Sequence, residues 1–194
     1  EGWSSTIIAG MNWIVGHHVA GKPAVVNLSL GGGYSQAENA AVQRMIADGI
    51  TVAIAAGDDY GDNACDYSPA SAPNALTVGA TDDDDFASSF SNLGPCVDLF
   101  APGRGILSAY GGGSDSQYLN GTSMATPHVA GVAALILSKH RSWKPATVSA
   151  RLLAMARPNT VLGDVEEYGT PTKLLSIAPR VGKVSPNTGA TKGK

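Results

Sequence analysis

Apolar positions fall into two rhythms along the chain. In residues 4–16, SSTIIAGMNWIVG, the residues Ile7, Ile8, Met11 and Ile14 recur at helical spacing and predict an amphipathic helix. Ala37, Ala40, Ala41, Met45 and Ile46 do the same over residues 35–48, with Gly49 as the stop. Around these helices lie continuous apolar runs that end in glycine. PAVVNLSLGGG (23–33) and ITVAIAAG (50–57) predict buried strands, and shorter strands are predicted at 75–81 and 97–103. GTSMATPHVAGVAAL (121–135) predicts a helix of small residues, and a last helix is predicted over 145–156, behind Pro145. Buried strands alternating with helices give an α/β fold, a parallel sheet with helices on both faces. Such sheets bind ligands at the carboxyl ends of their strands, here SLGGG and AAGDD. After Pro179 the chain turns to Arg, Lys, Pro, Gly and Thr with no acid, so 180–194 reads as a linker or tail.

Composition narrows the function. With 194 residues and 43% hydrophobic positions the chain is long enough for one medium domain with its own core. A formal net charge of -3 leaves no basic footprint for nucleic acid. The longest apolar run, near Val129 to Leu137, is too short to cross a bilayer, and no stretch reads as a secretory leader. Cys65 and Cys96 are either two buried thiols or one disulfide, and composition does not decide between them. The run DDDD (82–85) lacks the Gly and Glu spacing of an EF-hand loop and reads as a solvated acidic turn.

The chemistry centres on Ser123, at the mouth of the small-residue helix. The plain reading makes it an N-cap. The other reading makes it a nucleophile, with the helix N–H groups turned toward a developing oxyanion. A nucleophile needs a base. His128, five residues on, is turned about 140° from the face of Ser123 and is expected to pack or bond in the core. His17, His18 and His140 stand at helix ends, where a cation suits the dipole. None has the pattern of a catalytic base.

The segments NGTSMATPHVAGVAAL, VVNLSLGGG, AAGD, YSPASAP, TVGAT, SFSNLG and DLFAPG occur in this order. They resemble the subtilisin family of serine proteases, in its proteinase K-like and aqualysin-like branch, over about residues 5–178. The family's order is Asp, His, Ser, and its aspartate and histidine segments do not occur in this sequence. The resemblance implies that residues 1–179 are the C-terminal two-thirds of a catalytic domain, with the N-terminal part absent. It implies an extracellular serine endopeptidase that attacks peptide or protein substrates through Ser123. The base and its orienting acid are then expected upstream of residue 1 or on a separate chain carrying that segment. The competing reading is a truncated or pseudo-protease form that at most binds peptides.

Residue by residue, the resemblance makes Ser29, Leu30 and Gly31 the edge that pairs with substrate backbone. It makes Ala55, Ala56 and Gly57 a wall of the specificity pocket, whose small residues suit apolar or aromatic side chains. Asp58 stands at the oxyanion position, where the family normally has asparagine. Its carboxylate offers no donor there, whereas a protonated aspartate does. Cys65 and Cys96 match an aqualysin-type disulfide. Pro73, Ala75 and Asp98 match a calcium site built from two carbonyls and one carboxylate.

Overall fold

A computed structural model of the chain describes residues 2–111 and 115–177. The tail reading of 180–194 lies outside the described residues. The chain opens with helix α1 (Ser4–His17), followed by strand β1 (Ala24–Leu28) and a short strand β2 (Gly32–Gly33). Helix α2 (Gln36–Ala47) starts where the Ser35 hydroxyl accepts the Glu38 N–H at 3.3 Å, and it ends before Gly49, at φ +101°. Strands β3 (Ile50–Ala55), β4 (Tyr67–Ser68), β5 (Leu76–Thr81), β6 (Leu99–Pro102), β7 (Ile106–Ala109) and β8 (Ser116–Leu119) follow. Helices α3 (Thr122–Lys139) and α4 (Pro145–Met155) complete the main elements.

The central sheet is parallel, in the order β1-β3-β5-β6. Its two faces follow from strand alternation. Val52 and Ile54 of β3 point with Leu28 toward α1 and α2, where Met11, Val42 and Met45 are buried. Ala53, with Leu76, Val78 and Ala80 of β5, points toward α3 and α4, against Val129, Ala133, Val148 and Leu152. The fold is therefore the expected α/β layering with helices on both faces.

Three features depart from the sequence reading. The 23–33 strand is not fully buried: β1 has β3 alone as a sheet neighbour among the described residues, and its Asn27 is exposed. Two small antiparallel pairs, β2 with β4 and β7 with β8, were not expected. The third is on α3, which leaves Pro127, His128, Gly131, Ala134, Leu135 and Ser138 exposed along one face. A cavity of about 310 Å³ lined by Ala24, Val25, Ala134 and Leu137 joins that face to β1. The acidic run is a turn, as expected, with Asp82 Oδ1 accepting the N–H groups of Asp84 and Phe86.

Candidate active site

Ser123 is the second residue of α3 and not its cap. The cap is Gly121, at φ +151°, which has no side chain to offer the helix end. Asp58 supplies the missing acceptor from the loop after β3. Its Oδ1 accepts the Thr122 N–H at 2.7 Å and the Thr122 hydroxyl at 2.9 Å. A carboxylate thereby sits at the positive end of the helix dipole. The Thr122 oxygen in turn accepts the Gly57 N–H at 3.2 Å. A Cβ on Gly121 would lie 2.9 Å from Asp58 Oδ2 and 3.6 Å from the Ser123 nitrogen. The second carboxylate oxygen and the Ser123 backbone N therefore flank one small space, which glycine leaves open.

Pro127 explains how Ser123 is tied to β1. Lying inside α3, it has no N–H for the carbonyl of Ser123, four residues back. The Ser29 hydroxyl takes that carbonyl instead, at 2.7 Å, and is held in turn by Asn27 Nδ2 at 2.9 Å. The Ser123 hydroxyl itself makes a long 3.4 Å contact to the Ser29 carbonyl. A helix start and a strand end are thus stitched together at Ser123.

Beside Ser123 opens a cavity of about 250 Å³ whose lining includes Leu30, Gly31, Ala55, Ala56, Gly57 and Asp58. The structure thus brings the expected substrate residues together, except Ser29, which acts on α3. Asp59, Tyr67, Ala70 and Thr122 also line the cavity and were not singled out from the sequence. Nor was Asn92, although SFSNLG contains it. Buried at 0% exposure, it accepts the Asp59 N–H at 2.8 Å, donates to Asp59 Oδ2 at 3.0 Å, and gives its backbone N–H to the Gly57 carbonyl at 2.9 Å. Gly57, at φ +108°, passes so close that a Cβ would come within 2.3 Å of Asn92 Nδ2. A buried asparagine gripping a glycine turn leaves no periodic signal in a sequence.

The histidines all have other engagements. His128 is exposed on the open face of α3, not in the core, with Nδ1 against the Met124 carbonyl at 2.9 Å. His17 stacks on Trp13 and His140 on Trp143. His18 bonds Asp48 and the Lys22 carbonyl.

A larger cavity, about 630 Å³, brings Pro73, Ala75 and Asp98 together beside α4. Asp98 Oδ2 accepts the Thr77 N–H at 2.8 Å, and the Pro73 carbonyl accepts from Gln43 Nε2. Burial pushes the Asp98 carboxyl up from 3.8 to about 6, against the Thr77 hydrogen bond and the charge of Lys173. A desolvated carboxylate among carbonyls is a donor set that fits a hard cation. No group of three His, Cys, Asp or Glu side chains placed to hold a metal ion occurs among the described residues, so this set would rest on one carboxylate and backbone carbonyls. Cys65 and Cys96 are bonded, with Cα atoms 5.3 Å apart.

A family model described as the subtilase family matches residues 1–171. The chain is 51% identical over 162 residues to the extracellular serine proteinase of Thermus sp. (strain Rt41A), covering 83% of this chain and 39% of that protein. It is 46% identical over 176 residues to the alkaline serine exoprotease A of Vibrio alginolyticus, covering 90% of this chain and 32% of that one. A solved cold adapted subtilisin-like serine proteinase superposes with a TM-score of 0.84 at 45% identity, covering 92% of this chain and 63% of that one. The chain thus spans about a third to two-fifths of the length of these two curated relatives.

Proposed function

The chain belongs to the subtilase family, and from that premise we propose that it is the serine-bearing part of a secreted endopeptidase. The carrying observation is the convergence at Ser123. A hydroxyl with only a long contact, a helix N-terminus, the Ser29–Gly31 segment after β1 and a lined cavity meet there. In the proposed reaction the Ser123 hydroxyl adds to the peptide carbonyl and gives its proton to a base. The carbonyl oxygen takes the negative charge beside the Ser123 N–H. The C–N bond then breaks, the amine leaves with the proton, and water hydrolyses the acyl-serine.

None of the four histidines hydrogen-bonds Ser123 among the described residues, which supports a base and acid supplied by chain outside this sequence. The exposed small-residue face of α3 and the open edge of β1 support that reading. A helix apolar on most sides is stable when covered, and an open parallel edge offers a strand ladder. Secretion is supported by the disulfide and by the Thermus relative, an extracellular serine proteinase. At the second cavity, the Asp98 carboxylate and the Pro73 and Ala75 carbonyls would hold a calcium ion, whose charge would offset the desolvated carboxyl.

The test is labelling with a fluorophosphonate, read by mass spectrometry. We expect no stoichiometric adduct on this chain alone. One adduct on Ser123 is expected when the upstream segment is present, in the same polypeptide or added separately. Failure to label the completed protein would favour a second reading, a peptide binder without catalysis. The observation behind that reading is Asp58, which places a carboxylate oxygen where the reaction needs a donor.

A further inference from the structure

Residue 58 has to be aimed. Its side chain reaches the Thr122 N–H, and the space beside the Ser123 nitrogen, from a turn that belongs to neither a helix nor a strand. The turn begins at Gly57, at φ +108°, where glycine itself imposes little restraint. Two planar peptide groups flank residue 58, and their orientations set where its side chain points. One residue grips both. The carbonyl of the 57–58 peptide accepts the Asn92 N–H at 2.9 Å, and the N–H of the 58–59 peptide donates to Asn92 Oδ1 at 2.8 Å.

The grip is braced from behind. Asn92 is fully buried, and its Nδ2 donates to Asp59 Oδ2 at 3.0 Å, which leaves Oδ1 as the acceptor for the turn. The Ser91 hydroxyl donates to the Asn92 carbonyl at 3.1 Å and accepts the Ala80 N–H of β5, also at 3.1 Å. The turn therefore hangs from the central sheet through Ser91 and Asn92. The fit is close. A Cβ at residue 57 would come within 2.3 Å of Asn92 Nδ2, so the turn carries glycine where the asparagine holds it.

We propose that Asn92 is a positioning residue for position 58: by fixing both flanking peptide groups it aims that side chain at the space beside the Ser123 nitrogen. Asn92 is not among the residues that line the cavity and acts only through the turn. Its part in catalysis rests on the peptidase reading above. A donor or a charge acts on a developing oxyanion from a fixed place, and a displacement of about 1 Å costs up to roughly 10²-fold in rate.

The full protein carrying Asn92→Ala, Asp58→Asn or both tests this in two ways. The first is kinetic. The gain in kcat from Asp58→Asn, about 10²-fold with Asn92 in place, is expected to fall to about tenfold or less in Asn92→Ala, with KM little changed. A role confined to stability would lower the melting temperature and leave that gain intact. The second is the amide proton resonance of Thr122, the donor to Asp58 Oδ1, read in Ser123→Ala protein. In Asn92→Ala it is expected to move toward its position in Asp58→Ala. This readout needs no cleavage, so a protein that hydrolyses nothing would end the peptidase reading and still decide what Asn92 does. An undiminished gain or an unmoved Thr122 resonance overturns the inference.

If Asn92→Ala does not fold, Asn92→Asp takes its place. It sets a carboxylate against Asp59 Oδ2, and Asp59→Asn beside it restores the pair with donor and acceptor exchanged. Recovery of the Thr122 resonance together with the melting temperature supports the inference. Recovery of the melting temperature alone overturns it.

Discussion

Asp58 shows how one residue can serve the fold and oppose the chemistry. As an acceptor for the Thr122 N–H and hydroxyl it closes the open end of α3. In the proposed reaction, a carboxylate beside the Ser123 nitrogen would place negative charge where the carbonyl oxygen gains more. Asparagine separates the two roles, because its Oδ1 keeps both acceptor bonds while its Nδ2 turns a donor to the space beside Gly121. In the completed protein, Asp58→Asn is therefore expected to raise kcat by about 10²-fold or more, a size taken from the same donor in subtilisin itself. It is expected to lower stability by about 0.3–1 kcal/mol through the lost charge–dipole term. Peptide hydrolysis and thermal melts on both versions measure the two effects. An unchanged kcat would show that residue 58 does not reach the oxyanion.

Among the elements, the junction of α1 and α2 carries a titratable clasp. His18 Nδ1 lies 2.6 Å from Asp48 Oδ2, and its Nε2 lies 2.9 Å from the Lys22 carbonyl. Both partners are acceptors, so only the imidazolium satisfies both at once. The Lys22 carbonyl first and then the Asp48 hydrogen bond raise its pKa above 6.5, against a smaller opposing effect of desolvation. The folded value is the higher one. The clasp therefore contributes fully below 6.5 and is lost as pH rises through the folded value. Melting His18→Gln beside the parent protein across pH 5–9 should show the largest gap at the acid end, closing as pH rises (roughly this span for a shifted histidine). A gap constant with pH would remove the clasp from the account. This junction was invisible in the sequence, where His18 read only as a helix-end cation. Periodicity did give α1, α2 and β3, with Met11, Ala41 and Met45 buried where their spacing placed them, but Ala37 and Ala40 of the expected α2 face are exposed and Val42, outside that pattern, is buried. It misjudged β1, since an apolar run reports a preference for burial and not the number of neighbours a strand has. The β7–β8 hairpin escaped because its residues are largely exposed and carry no alternating apolar signal. Ser123 and the cavity residues were legible through long motifs. The services of Thr122, Asn92 and Pro127 were not, because each is a contact between segments distant in sequence.

At the scale of the whole molecule, the two cavities share the Tyr67–Ala75 region. Ala70 lines both, and the Cys65–Cys96 bond closes a separation of 31 residues that contains it. A loop of that size contributes roughly 3–4 kcal/mol on the chain-entropy account. The same region carries a cost at Asp98, whose carboxyl is held at about 6 in the folded chain against 3.8 otherwise. Above that value the ionised form opposes folding by roughly 3 kcal/mol, an upper bound for a side chain that keeps some water. Calcium held by Asp98 and the carbonyls of Pro73 and Ala75 would cancel that cost, and Asp98→Asn would remove it by deleting the charge. The two routes are therefore not additive. At pH 7.5, removing calcium with a chelator is expected to lower the melting temperature of the parent protein by several degrees, about what a few kcal/mol gives in a domain of this size. Asp98→Asn in chelator is expected to melt above the parent in chelator, and added calcium should leave it unchanged. Calorimetry on the four combinations decides the matter. Equal calcium stabilisation of parent and variant would move the ion away from Asp98, and no stabilisation of either would leave Asp98 as an uncompensated buried charge.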